Sequence, residues 1–285
     1  MNKMLLLFLC GGVLFADRGI IPFDSGVRIF EPNQKAFIAW NGKEEILLLT
    51  TDVKAEKKTE VLEVLPLPSK PEVKKGDTEI FNRCVWLINK RMRKRMLMKK
   101  GVTSVPKAAG ELVFYKKIGV HDISVIHVLN KRGFIQWVEE YLESKKVKNP
   151  KIPEKIKKIV EEYLRENFKW FVFDVVSLDE KLKSVEPIEY RFKTESLYFP
   201  LKITRNIQGY TKIDLLVLSP TLLKKFPKYP IHKIKLRHLP ITLTSNEIRY
   251  ISEEIYRFLN VENAKLRIWR IEGKLSEFKD DLIAK

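Results

Sequence analysis

The sequence is poor in the residues that announce a familiar chemistry. Only two cysteines, Cys10 and Cys84, occur in 285 residues, which excludes a disulfide scaffold and a cysteine-rich metal cluster. The 12 glycines form neither a Gly-x-Gly-x-x-Gly turn after a strand nor a Walker lysine loop, so the common phosphate-cradling fingerprints are absent. Histidine is scarce too: His121, His127, His232 and His238 show neither His-x-His nor His-Glu-x-x-His spacing. A metal site would have to be assembled from residues distant in sequence, and no metal or cofactor is expected. No Gly-x-Ser-x-Gly elbow is present, which removes that route to a serine nucleophile. The apolar run from Met4 to Phe15 falls well short of the ~20 residues that cross a bilayer as a helix.

What is there is charge and core. The chain carries 54 Lys plus Arg against 36 Asp plus Glu, a formal net charge of +18, with 45% hydrophobic and 11% aromatic residues. That apolar content excludes wholesale disorder, and a chain of this length buries roughly 75% of its unfolded surface. Three glutamines against 39 lysines and 26 glutamates is the balance expected of a thermophile. At the N-terminus, Lys3, the apolar Met4–Leu9, Gly11-Gly12 and Val13-Leu14-Phe15-Ala16 have the layout of a secretory signal cleaved after Ala16. Leu14 is larger than usual at its position before the cut. Lipidation at Cys10, disfavoured by the bulky Leu9, and an uncleaved anchor or buried strand are the alternatives. Cleavage would leave Cys84 as the one cysteine, so stability must come from the core and from charge networks.

Periodicity predicts an α+β fold with antiparallel β-rich segments and several packed helices, in one or two subdomains. Strands are expected over 35–40 and 45–51 around the Asn41-Gly42 turn, and over 59–65, ended by the prolines of the 66–71 connector. A helix follows from Asp77 or Thr78, with Phe81, Val85, Ile88, Met92 and Met96 as its apolar stripe and Cys84 in the core. Strands are then expected over 111–115 and 123–129, about a turn at 117–119. Helices are expected over 134–145 and 153–167, and strands over 171–176, 188–193, 198–204 and 212–218. A looser stretch, 220–240, precedes a capping box at Thr244-Ser245-Asn246-Glu247 and a helix to Leu259. A strand over 265–271, a turn at Gly273 and a closing helix over 275–283 end the reading. Residues 17–285 are read as one domain, with a subdivision near 101–110 as the alternative.

Two groups of residues could carry function. Lys90, Arg91, Arg93, Lys94, Arg95, Lys99 and Lys100 place seven cations in eleven residues with no acid. On a helix, Lys90, Arg93 and Lys94 would project outwards and form a surface suited to anionic lipid headgroups, acidic envelope polymers or nucleic acid; export disfavours the last. The bland alternative is a solvated face of a lysine-rich protein. The second group is polar residues inside apolar strands: His121 and Asp122 after a glycine turn, Asp174 between Phe173 and Val175, and Asp214 between Ile213 and Leu215. A desolvated imidazole and carboxylate can do acid–base work. Such residues more often satisfy backbone groups or point to solvent, and that reading outweighs catalysis here.

Several phrases recur in a familiar order: 45–53, Val64-Leu65-Pro66-Leu67-Pro68-Ser69, Pro71-Glu72-Val73 through Gly76, Ile118-Gly119-Val120-His121-Asp122-Ile123, Gly133-Phe134 with Trp137, Phe171-Val172-Phe173-Asp174-Val175 and Tyr198-Phe199-Pro200-Leu201-Lys202-Ile203. In these the chain resembles the uncharacterised prokaryotic domain-of-unknown-function family 2330. The resemblance implies an exported or envelope-associated protein with no established activity, cofactor or catalytic residue. Some members have cysteines near the mature N-terminus, which this chain lacks after residue 16. The function expected is therefore that of a non-enzymatic, extracytoplasmic protein binding anionic surface material or a partner protein through its basic face. The alternative is an extracytoplasmic, hydrolase-like enzyme using His121 and Asp122.

Overall fold

In the computed structural model, residues 19–23, 29–99, 121–144, 150–181, 183–184, 186–205, 210–230 and 232–285 are described. The strands β1 (Gly19–Pro22), β2 (Ile29–Trp40), β3 (Glu44–Ala55), β4 (Thr59–Leu67) and β5 (Glu72–Lys75) precede helix α1 (Glu79–Lys99). Then come β6 (His121–His127), α2 (Phe134–Ser144), α3 (Glu154–Arg165), β7 (Trp170–Leu178), β8 (Lys183–Ser184), β9 (Ile188–Lys193) and β10 (Leu197–Phe199). A 3₁₀ turn at Lys202–Thr204 leads to β11 (Tyr210–Ser219), β12 (Ile234–Leu236) and β13 (Ile241–Thr244). The helices α4 (Ser245–Ile251) and α5 (Glu253–Leu259) and the strands β14 (Asn263–Lys274) and β15 (Leu282–Ala284) follow.

These elements form an α+β fold in four layers. A four-stranded sheet has the order β1-β4-β7-β6, and a nine-stranded sheet has the spine β12-β14-β11-β2-β3-β9-β5. Pairing is antiparallel except between β2 and β11, which run parallel. The strands alternate because successive side chains point to opposite faces. Val172 and Leu65 face the nine-stranded sheet, where they pack with Ile38, Leu47 and Leu49. Phe171, Phe173 and Val64 face the other way, onto Val138, Ile159 and Tyr163 of α2 and α3. On the far side of the large sheet, Phe37, Ile46 and Leu48 pack against Phe81, Cys84 and Ile88 of α1 and Ile248 and Ile255 of α4 and α5. The layers run α2/α3, small sheet, large sheet, α1/α4/α5.

The expected hairpin forms. Gly42 takes φ +94°, and the Asn41 side chain accepts the amides of Lys43 and Glu44 at 3.0 and 2.8 Å. Other expectations shift for identifiable reasons. The buried stripe of α1 is Ile80, Phe81, Cys84, Leu87 and Ile88, while Val85 and Met92 are 41% and 36% exposed; they lie one step round the helix from the face that meets the sheet. The strand ended at Pro66 by expectation runs on to Leu67, pairing with β7 on one side, while β1 spans only Val61–Val64 on the other. Proline costs least where its missing N–H has no strand to meet. The helix expected to continue to Leu259 breaks at Ser252, whose hydroxyl accepts the Ile255 amide and starts α5. The closing helix over 275–283 is instead a 3₁₀ turn and β15. The segment 198–204 divides into β10 and the Lys202–Thr204 turn. The signal segment, Cys10, the strand over 111–115, the turn at 117–119 and the subdivision at 101–110 lie outside the described residues.

Candidate functional site

The basic stretch lies on the C-terminal half of α1, which continues unbroken to Lys99. Its inner edge is anchored: Arg91 Nη2 donates to both carboxylate oxygens of Glu247 at 2.7 Å. Glu247 is at the same time the capping-box acid of α4, where it accepts the Thr244 amide at 3.0 Å. Burial pushes the Glu247 carboxyl up, but the bonds from Arg91 and Thr244 outweigh it and hold the group below its ordinary value. Arg91, expected to offer its charge to a ligand, fastens α1 to α4 with 38% of its side chain still exposed. Lys90 is exposed and stands 4.8 Å over the Trp86 ring. Trp86, itself 49% exposed, packs at 5.3 Å on Tyr250 of α4, which is 48% exposed. Arg93, Lys94, Arg95 and Lys99 continue the helix, with their side chains outside the described set, and Lys100 lies beyond it. Sequence reading found the cations but missed the aromatic pair beside them, because Trp86 and Tyr250 are far apart in the chain.

The polar strand residues separate. His121 of β6 and Asp174 of β7 meet: Nδ1 and Oδ2 are 2.5 Å apart, with side chains 6% and 2% exposed. The register makes this natural, since Asp174 opposes Ile123 and His121 lies two residues before it on the same face. Glu63 of β4 opposes Asp174 from the other side and is also buried. All three positions face the large sheet. Asp122, one residue from His121, therefore belongs to the opposite face and is exposed. The expected His121–Asp122 pair is thus replaced by His121–Asp174, and Asp174, expected to point to solvent, is buried. With Nδ1 donating to Asp174, Nε2 of His121 is buried without a hydrogen bond among the described residues. Asp214 is remote, in the large sheet, where Arg270 grips it through two bonds of 2.6 and 2.8 Å across the β11–β14 pair. This makes Asp214 a cross-strand ion pair.

A third polar group was not legible in the sequence. Asp281 Oδ1 accepts from Tyr163 Oη at 2.7 Å and from the Leu201 and Lys202 amides at 2.9 and 2.8 Å, and its Oδ2 accepts from Tyr198 Oη at 3.2 Å. Lys202 is 4.1 Å above the Tyr163 ring and bonds Glu166 at 2.6 Å. Asp281 thereby ties α3, β10 and the 3₁₀ turn to the chain just before β15. Nearby, the fully buried Glu45 accepts the Tyr198 amide at 2.8 Å, and its other oxygen has no hydrogen bond among the described residues. Burial pushes the Glu45 and Asp281 carboxyls and the Tyr163 and Tyr198 hydroxyls upward. Cys84 is buried against the large sheet, and its thiol is likewise pushed up, which suppresses the reactive thiolate.

Among the described residues, no group of three or more His, Cys, Asp and Glu side chains is placed to hold a metal ion. No described helix is long and apolar enough to cross a membrane, a statement that does not extend to strands. No protein-family model matches the sequence, and no curated protein does. Among solved structures the chain is similar to baculovirus P35, with a TM-score of 0.47 and 8% identity over 93% of this chain and 99% of that one.

Proposed function

We propose that the protein is an exported, non-enzymatic component of the cell envelope that binds anionic surface material, or a partner protein of that charge, through the basic face of α1. The observation that carries the reading is the fixed presentation of that helix. Arg91 and Glu247 clamp it to α4, while Lys90 stays exposed and the cations at 93, 94, 95 and 99 continue along it. The signal-like N-terminus and the resemblance to domain-of-unknown-function family 2330 belong to the same reading. Each cation near an anionic surface contributes about 1 kcal/mol, and salt screens it. The test is retention on immobilised hyaluronate, an anionic polysaccharide, as salt is raised. The full chain is compared with Arg93→Gln/Lys94→Gln/Arg95→Gln, which spares the clamp at Arg91. Three lost cations should weaken binding by on the order of a hundredfold at low salt; equal retention overturns the reading. Intact mass from native cells, with a chain starting at Asp17, checks export.

The His121–Asp174 bond favours one alternative, an extracytoplasmic, hydrolase-like enzyme in which Asp174 orients the imidazole. Asp122 has no place in that version. A hydrolytic activity abolished by His121→Gln, with melting unchanged, would support it over the binding role; no activity in the wild-type chain removes it.

A further inference from the structure

We infer that the anionic material is a lipid bilayer surface, met by the outer face of α1 together with Tyr250 of α4. This rests on the basic-face reading and names its ligand. A soluble polyanion needs only cations, yet this face also carries apolar groups that the core does not use. Val85, Trp86 and Met92 on α1 are 41%, 49% and 36% exposed, and Tyr250, which packs on Trp86, is 48% exposed. The Trp86 and Tyr250 rings pack with centroids 5.3 Å apart as one aromatic platform, and the Lys90 ammonium stands over the Trp86 ring, 4.8 Å from its centroid.

Half-exposed Trp and Tyr rings have the amphipathic chemistry that settles at headgroup level, with an apolar body below and a polar tip in water. An exposed lysine whose ammonium stands over the aromatic ring brings its charge to the same place as the rings, where headgroup phosphates would meet both. The aliphatic Val85 and Met92 extend the apolar area in a way that a sugar or phosphate polymer would not exploit. The chain's net charge of +18 and the run of cations from 90 to 100 with no acid match an anionic leaflet. The acid of α1 itself, Glu79, sits at its opposite end, and Glu247 of α4, which does meet the basic stretch, is taken up by Arg91. Clamped by Arg91 to Glu247, α1 would lie in the interface plane as a preformed element.

The test is flotation of the full chain with phosphatidylcholine vesicles containing phosphatidylglycerol, with pure phosphatidylcholine vesicles as the control. Hyaluronate retention is measured in parallel. Trp86→Ser/Tyr250→Ser should lower partition onto the anionic vesicles by on the order of tenfold while leaving hyaluronate retention unchanged. The triple cation variant should lower both. Unaltered far-ultraviolet circular dichroism and an unchanged cooperative melting transition of the Ser variant establish that it folds; if it does not, Trp86→Phe/Tyr250→Phe with Met92→Ser is used, with the same expected loss. Hyaluronate binding without vesicle binding overturns the lipid inference and leaves the basic-face reading standing. A Ser variant that weakens both equally makes the platform a polysaccharide site and also overturns it. A dimer lost in the Ser variant overturns it in favour of a second copy of the chain. Absence of binding to either probe overturns the basic-face reading itself.

Discussion

Glu45 shows how a single side chain can set the response of the whole protein to pH. It is completely buried between the two sheets, and one amide bond, from Tyr198, does not compensate the loss of water. Burial therefore raises its pKa well above the ordinary 4.5. A carboxyl that holds its proton more tightly in the folded chain than in the unfolded one favours folding at low pH. That contribution is fully present below the unfolded value and is lost as pH rises through the folded one. Glu45→Gln keeps an acceptor for the Tyr198 amide and abolishes the titration. In urea unfolding, the wild-type chain should lose more stability than the variant between about pH 5 and about pH 8. Asp281, raised in the same sense, is common to both proteins and leaves that difference intact. Equal slopes would show that Glu45 is not the group responsible. Nothing about Glu45 in the sequence sets it apart from the adjacent Glu44, which is bound to Arg191 at 2.8 Å. The period-2 alternation that sends Leu47 and Leu49 inward sends Glu45 with them.

At the scale of elements, local chemistry and tertiary contact each decided part of the outcome. The capping box at Thr244 and Glu247 and the turn at Asn41-Gly42 formed as their residues dictate. Gly76, by contrast, has a reason that appears only on assembly. Its amide bonds the Pro187 carbonyl at 2.7 Å. A Cβ added there would lie 2.0 Å from Leu48 Cδ1 and 3.2 Å from the Pro187 oxygen. Leu48 is fully buried beneath α1 and has little room to turn aside. Gly76→Ala should cost about 1–3 kcal/mol in urea unfolding, whereas a cost near zero would mean that the β5–α1 junction can shift. The stripe of α1 turns from its expected face for a related reason. Periodicity shows that an apolar stripe exists, but the packing direction of the sheet selects Cys84 and Leu87 over Val85 and Met92.

Across the whole molecule, the layer between the two sheets is the main structural bond. Leu65, Leu67 and Val172 from the small sheet share one cluster with Ile38, Leu47, Tyr190 and Leu215 from the large one. Tyr198 and Phe199 of β10 belong to it as well, and the Asp281 network ties α3 to the same region. Neither sheet can leave without exposing the apolar face of the other. We therefore expect one cooperative transition in calorimetry, with coincident loss of near- and far-ultraviolet dichroism. Two resolved transitions would show that the sheets unfold as separate units.

The sequence by itself determined the α+β class, the strands at the heart of each sheet, the hairpin, the capping box and the concentration of cations on α1. These follow from local periodicity, turn chemistry and composition, which act over a few residues. The meeting of His121 with Asp174, the clamp of Arg91 on Glu247, the Trp86–Tyr250 platform and the burial of Glu45 were decided by tertiary structure alone. Each depends on strand register or on the docking of elements far apart in the chain, and a pattern of neighbours along one segment carries no information about either.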